Sequence, residues 1–297
     1  MIRSLQIFCD LADSQNFTET ARRNYITQSA VSHHLKALEA RFGHRLLERR
    51  HRPVRLTQPG RLVYESSKEL VAGYQRLEAS LKASPNEVAG PLEIATTLAV
   101  GLHTLPIYMT AFLKRYPKVQ PRLIFPKEPV VYEAIRTHRA EIGFLHYPPS
   151  HHQVERISFL NDRLVVIIPA DHGWASRKRI SLRQLNRQTV VALESGLSTR
   201  KAIDGILRRA DVRVSIPYSF DNVEIVKRAV AVKLGVSLVP YSTVITEVQA
   251  GLLKAIEIAE GPLVCPIGIV VHKRAELSLP AQKFLETLRP SRLPSQA

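Results

Sequence analysis

Between Asn24 and Gly43 the chain reads NYITQSAVSHHLKALEARFG. Gln28, Ser29, Ser32, His33 and Lys36 are donors and short polar groups at helical spacing, with no acid among them. A glutamine amide at the start of a helix can pair two-pronged with adenine in the major groove. Serine and histidine can meet bases or phosphates, so His34 joins the candidate set beside His33. Lys36 would sit over the phosphate backbone, which gives affinity without sequence information. Thr27 precedes them as a capping residue, and the helix start it defines attracts phosphate through free N–H groups. The ribbon LLERRHRPVRLT follows, with Arg49, Arg50, Arg52 and Arg55 as further phosphate contacts and a proline that marks an edge.

A second set of polar residues lies further along. Thr96 and Thr97 end the apolar run LEIATT, and His146 ends EIGFLH between Leu145 and Tyr147. Ser195, Ser198 and Thr199 stand in ESGLSTRKAI at the start of a helix. Ligands of open α/β sheets sit beyond the C-terminal ends of strands, beside helix N-termini. Hydroxyls and free N–H groups there suit an anion, so a small carboxylate or other anionic effector is expected. Capping explains any one of these residues alone, and it is their convergence from three segments that marks a site.

Other chemistries find little support. The histidines at 33–34, 146 and 151–152 have no carboxylate or cysteine at ligand spacing, so neither metal nor cofactor is expected. There is no glycine-rich phosphate loop, no G-x-S-x-G elbow and no zinc signature, which argues against an enzyme.

The elements that must position these residues follow from periodicity. Ile2, Leu5, Phe8, Cys9 and Ala12 form the apolar stripe of a first helix. A short second helix spans about Thr18 to Arg23, capped by Asn16 or Thr18. The third runs from Thr27 to Gly43 and buries Val31, Leu35, Leu38 and Phe42, with glycine as its left-handed terminator. A long helix from about Pro59 to Ala83 repeats Leu62, Leu70, Leu77 and Leu81, a pattern that suits a dimer seam. After the linker ASPNEVAGP the texture changes to alternating strands and helices, predicting parallel sheets covered by helices. The expected organisation is a DNA-binding unit at 1–58, a linker helix and hinge at 59–90, and a two-lobed effector unit at 91–297. Its first lobe takes about 91–160 and 266–297, its second about 161–265.

Bulk properties agree. A formal charge of +16 and a pI near 10.1 favour a polyanionic partner, nucleic acid before membrane surface. The N-terminal segment is amphipathic, with Asp10 and Asp13 interrupting it, and so lacks the continuous apolar core of an export signal. No stretch approaches the ~20 apolar residues of a membrane span. Two distant cysteines suggest a reducing compartment, so the cytoplasm is expected.

The stretch FTETARRNYITQSAVSHHLKALEARFGHRLLERRHRPVRLTQPG resembles the N-terminal domain of LysR-type transcriptional regulators. Phe17-Thr18, Ala21, Thr27-Gln28-Ser29-Ala30-Val31-Ser32, Leu38-Glu39, Phe42-Gly43, Leu46-Leu47, Arg49, Leu56-Thr57 and Gly60 carry that resemblance, over about 60 residues. The order that follows, a linker helix and two α/β lobes, is similar to the family throughout. The resemblance implies a winged helix-turn-helix on a type 2 periplasmic-binding-protein-like domain, assembled as a homodimer or a dimer of dimers, hence a homotetramer. It also implies an effector that alters DNA bending and contact with RNA polymerase. Ser29 stands where proline is common and His33-His34 replace an Arg-Gln type pair, so the operator sequence does not carry over. Residues from 91 onward alone would also permit a solute-binding protein, but such a protein has no use for residues 1–58.

Overall fold

The computed structural model describes residues 1–48, 54–82 and 87–288. Helix α1 (Ile2–Ser14) buries Leu5, Ile7, Phe8, Cys9 and Leu11 and stops at Gln15 in the left-handed conformation. Helix α2 (Phe17–Arg23) begins at Asn16, whose side chain accepts from the Thr18 and Glu19 N–H groups. That satisfies two of the donors a helix start leaves open. Tyr25, also left-handed, turns the chain into α3 (Gln28–Phe42). Val31, Leu35 and Leu38 of α3 join Leu5, Phe8, Leu11 and Leu46 in one apolar core. Phe42, expected inside, is 41 % exposed at the helix end. The ribbon is a short antiparallel pair, β1 (Leu47–Glu48) and β2 (Arg55–Leu56).

Three motif positions explain why helix, ribbon and linker helix stay together. Glu39 of α3 accepts a hydrogen bond from the Leu46 N–H at 2.9 Å, holding the start of the ribbon to the helix. Thr57 donates to the Arg45 carbonyl at 2.7 Å and accepts from the Gly60 N–H at 3.0 Å. A Cβ on Gly60 would lie 2.0 Å from the Leu46 carbonyl oxygen, so only glycine lets these backbones approach.

Helix α4 (Gln58–Lys82) has 25 residues, which makes it about 37 Å long. Val71 enters the N-terminal core with Val63 and Tyr64 against it, and Tyr64 and Lys68 both bond Asp13 of α1. Leu62, Leu70 and Leu77 point the other way and are 68 %, 55 % and 55 % exposed.

The first lobe opens with β3 (Gly90–Thr96), α5 (Leu98–His103), α6 (Leu105–Arg115), β4 (Val119–Ile124), α7 (Glu128–Arg136) and β5 (Ile142–His146). The run LHTLPIYMTAFLKRYP (102–117) predicts one helix, which the structure splits so that α6 takes most of it and α5 ends inside it. Pro106 lacks an N–H and its ring clashes with the preceding turn, so the chain breaks at Thr104 and starts again. Next come β6 (Val154–Pro169), β7 (Arg179–Ile180), β8 (Thr189–Leu193), α8 (Ser198–Arg209), β9 (Ser215–Phe220), α9 (Val223–Ala231), β10 (Ser237–Pro240), α10 (Ile245–Gln249) and β11 (Leu253–Ile258). β12 (Leu263–His272) and α11 (Leu279–Leu288) return to the first lobe, where Phe284 packs on Phe112 and Phe144.

The expectation of parallel sheets needs correction. β3 is parallel to β4 and β5, and β8 to β9. The middle of the molecule is antiparallel: β12 with β5 and β6, and β6 with β10 and β11. The cause is connectivity. A chain that leaves one lobe, builds the other and returns must cross twice in opposite directions, and β6 and β12 are those crossings. The near half of β6 pairs only with β12, while Leu164–Ile167 take β10 and Val166–Pro169 take β11.

Candidate nucleic-acid interface and interlobe cleft

Thr27 caps α3 by accepting from the Ala30 N–H at 3.2 Å, and its hydroxyl also meets that of Ser29 at 2.8 Å. Thr27 therefore positions the helix start, with its own side chain already engaged. Gln28, Ser29, His33 and Lys36 are exposed on α3 and Ser32 is half-buried among them. Positions 28, 32 and 36 are one helical turn apart, and 29 and 33 flank them, so the five share one face. His34 departs from the set. Its Nδ1 lies 2.9 Å from the Ser4 hydroxyl of α1, so it braces the two helices. Arg55 is exposed on β2, whereas Arg49, Arg50 and Arg52 lie outside the described residues.

The second set meets at a cleft of about 310 Å³ between the lobes. Thr97 and His146 line it from the first lobe and Thr199 from the second, among apolar neighbours such as Leu98, Phe125, Leu193 and Val223. Thr97 Oγ1 and His146 Nε2 are both buried without a hydrogen-bond partner. Burial pushes the His146 imidazole down to about 4, leaving it neutral at neutral pH. Buried polar atoms are normally paired, so these two mark where a ligand's polar groups would be received.

Three expected members behave differently. Thr96 is fully buried and its hydroxyl donates to the Thr97 carbonyl at 3.1 Å, so it serves the backbone turn and does not line the cleft. Ser195 is exposed in the turn before α8 and does not line it either. Ser198 stands at the start of α8 but does not line the cleft itself, because its groups are taken by Glu128, which does. Its N–H donates to Glu128 Oε2 at 2.9 Å and its hydroxyl donates to Glu128 Oε1.

Glu128 belongs to a group of charged residues that sequence reading missed. Lys127 Nζ reaches Asp221 at 3.4 Å and Glu194 at 3.8 Å in the other lobe. His103 of α5 meets Glu224 of α9 at 2.7 Å. Glu224 also pairs with the buried Lys227 at 2.9 Å, which reaches Glu247 at 2.8 Å and donates to the Thr243 carbonyl. Burial pushes Glu224 up, but hydrogen bonds from His103 and Lys227 outweigh it and hold the carboxyl below its ordinary value. The lobes are thus tied by polar contacts around an open, mostly apolar cleft. Only the proline after Glu128 hinted, in sequence, that this acid opens a helix.

Residues 2–61 match the family described as "Bacterial regulatory helix-turn-helix protein, lysR family", and residues 85–292 match "LysR substrate binding domain". The chain is 27 % identical over 287 residues to the transcriptional activator CmpR of Synechocystis, covering 97 % of this chain and 94 % of the relative. The crystal structure of full-length CbnR complexed with its target DNA superposes with a TM-score of 0.76 at 21 % identity, covering 97 % and 99 % of the two chains. The regulatory domain of Synechocystis CcmR in complex with 2-PG superposes with a TM-score of 0.62 at 24 % identity, covering 67 % of this chain and 95 % of that one.

Proposed function

The chain belongs to the LysR family of bacterial helix-turn-helix transcriptional regulators, and from that premise we propose that Gln28, Ser32 and His33 read its operator while a small anion bound between the lobes alters the outcome. The observation that carries the DNA reading is the acid-free face of α3, presented by a capped helix on a chain of formal charge +16. Lys36 and the arginines at 49, 50, 52 and 55 hold phosphates and so give binding without sequence preference. The effector lies against Thr97, His146 and Thr199, whose convergence on one cleft supports the reading; the CcmR neighbour was solved with 2-PG.

The assembly is a homodimer or a dimer of dimers formed through α4, so that paired half-sites are read together. It works in the cytoplasm, contacts RNA polymerase and catalyses no reaction. Among the described residues no helix is long and apolar enough to cross a membrane.

Binding to promoter fragments and to random DNA tests the base-reading role. Gln28→Ala is expected to lose about 1–3 kcal/mol on the operator and little on random DNA. Equal losses on both would refute the assignment of Gln28 to a base.

A further inference from the structure

Glu128 sits at the start of α7 in the first lobe, yet its carboxylate serves the second. Both of its oxygens are engaged by Ser198, one by the N–H at 2.9 Å and one by the hydroxyl. Ser198 opens α8, a helix of 12 residues whose free N–H groups carry partial positive charge. The anion position expected from the sequence is therefore filled by one of the protein's own side chains. In the cleft that Glu128 also lines, His146, only 5 % exposed, presents an unpartnered Nε2, and Thr97 an unpartnered Oγ1. A site with its anion receptor occupied and its neutral polar groups unmatched is half filled.

We propose that Glu128 is a built-in competitor for the effector. Its carboxylate holds the α8 anion position in the free protein, and the effector is a small carboxylate that displaces it while a second polar group reaches Thr97 and His146. This rests on the cleft being the effector site. The carboxylate class follows from the donor pair, since Ser198 addresses two oxygens of one planar group and a ligand carboxylate reproduces both bonds. The apolar walls and the volume of about 310 Å³ leave room for a short carbon body. Displacement also accounts for a change of state. An effector shifts a conformational equilibrium only if it interacts differently with the two forms, and here its arrival removes a bond between the lobes. While Glu128 occupies the position, the apparent affinity falls by the fraction of time the site is open.

The test is calorimetric titration of the full-length protein with acetate, glycolate and benzoate, with inorganic phosphate as a tetrahedral comparison. Glu128→Ala is expected to bind at least one carboxylate about tenfold or more tightly than the wild type, with no comparable gain for phosphate. Glu128→Gln keeps the shape and removes the charge, and should fall between the wild type and Glu128→Ala, with an unchanged far-ultraviolet circular dichroism spectrum and a cooperative thermal transition showing that both variants fold. Adding Thr97→Val to Glu128→Ala should cost part of the gain for glycolate, whose hydroxyl is the second polar group. No gain for any of the three carboxylates in either variant overturns the proposal, and a gain for phosphate alone overturns the carboxylate class. If the operator footprint of the wild type still responds to an effector and Thr97→Val abolishes that response, the cleft stands and only the competitor falls.

Discussion

Gln28 and His34 lie within two turns of one helix, and their surroundings give them different work. Gln28 faces water at a capped start, while His34 leans on Ser4 of α1. Sequence alone grouped them because both are polar and near each other. The separation depends on where α1 crosses α3, which no local pattern encodes. His146 makes the point for the cleft. Its place at the end of a strand was legible, but its burial was not, because burial depends on what the rest of the fold packs around that strand end. That burial has a pH consequence. The folded value of about 4 lies below the ordinary 6.5, so between those values the unfolded chain holds a proton that the folded chain refuses. Stability should therefore fall as pH drops from 6.5 to 4, by up to about 3 kcal/mol from this residue, and be insensitive to it above 6.5. Urea unfolding across that range should show a shallower slope for His146→Gln than for the wild type. Identical slopes would contradict a neutral, buried His146.

Among the elements, α4 was the most legible. Leucines at helical spacing predict a long helix, and the structure places Leu62, Leu70 and Leu77 on its exposed side while Val71 goes into the N-terminal core. A helix with one stripe buried in its own domain and a second apolar stripe in water is suited to pairing with its copy. Leu70→Glu should halve the assembly and abolish binding to paired half-sites. Analytical ultracentrifugation showing an unchanged oligomer for that variant would contradict the seam. The first part of β6 was the least legible element. VERISFLNDR mixes charges with apolar residues and carries no sustained alternation, yet it pairs with β12 along its length. A strand at the edge of a lobe can expose one face and both signs of charge without losing its ladder, so composition alone did not reveal it. The break at Thr104 had a visible cause in Pro106, and the periodicity on either side masked it.

At the scale of the whole molecule, the order of helical reader, long helix and two α/β lobes follows from where periodicity changes, and the family match spans the same plan. The polar ties that close the lobes could not be read from sequence. Glu128, Ser198, His103 and Glu224 come from four separate elements, and only the crossings of β6 and β12 bring them together. The central question is whether the cleft governs what happens on DNA. The direct measurement is a footprint of the operator, with and without candidate carboxylate metabolites, on wild type and on Thr97→Val, which exchanges a hydroxyl for a methyl at nearly constant volume. The wild-type footprint should change with effector, while Thr97→Val should bind the operator equally well and show no change. A Thr97→Val footprint that still changes at the wild-type effector concentration would place the effector somewhere else.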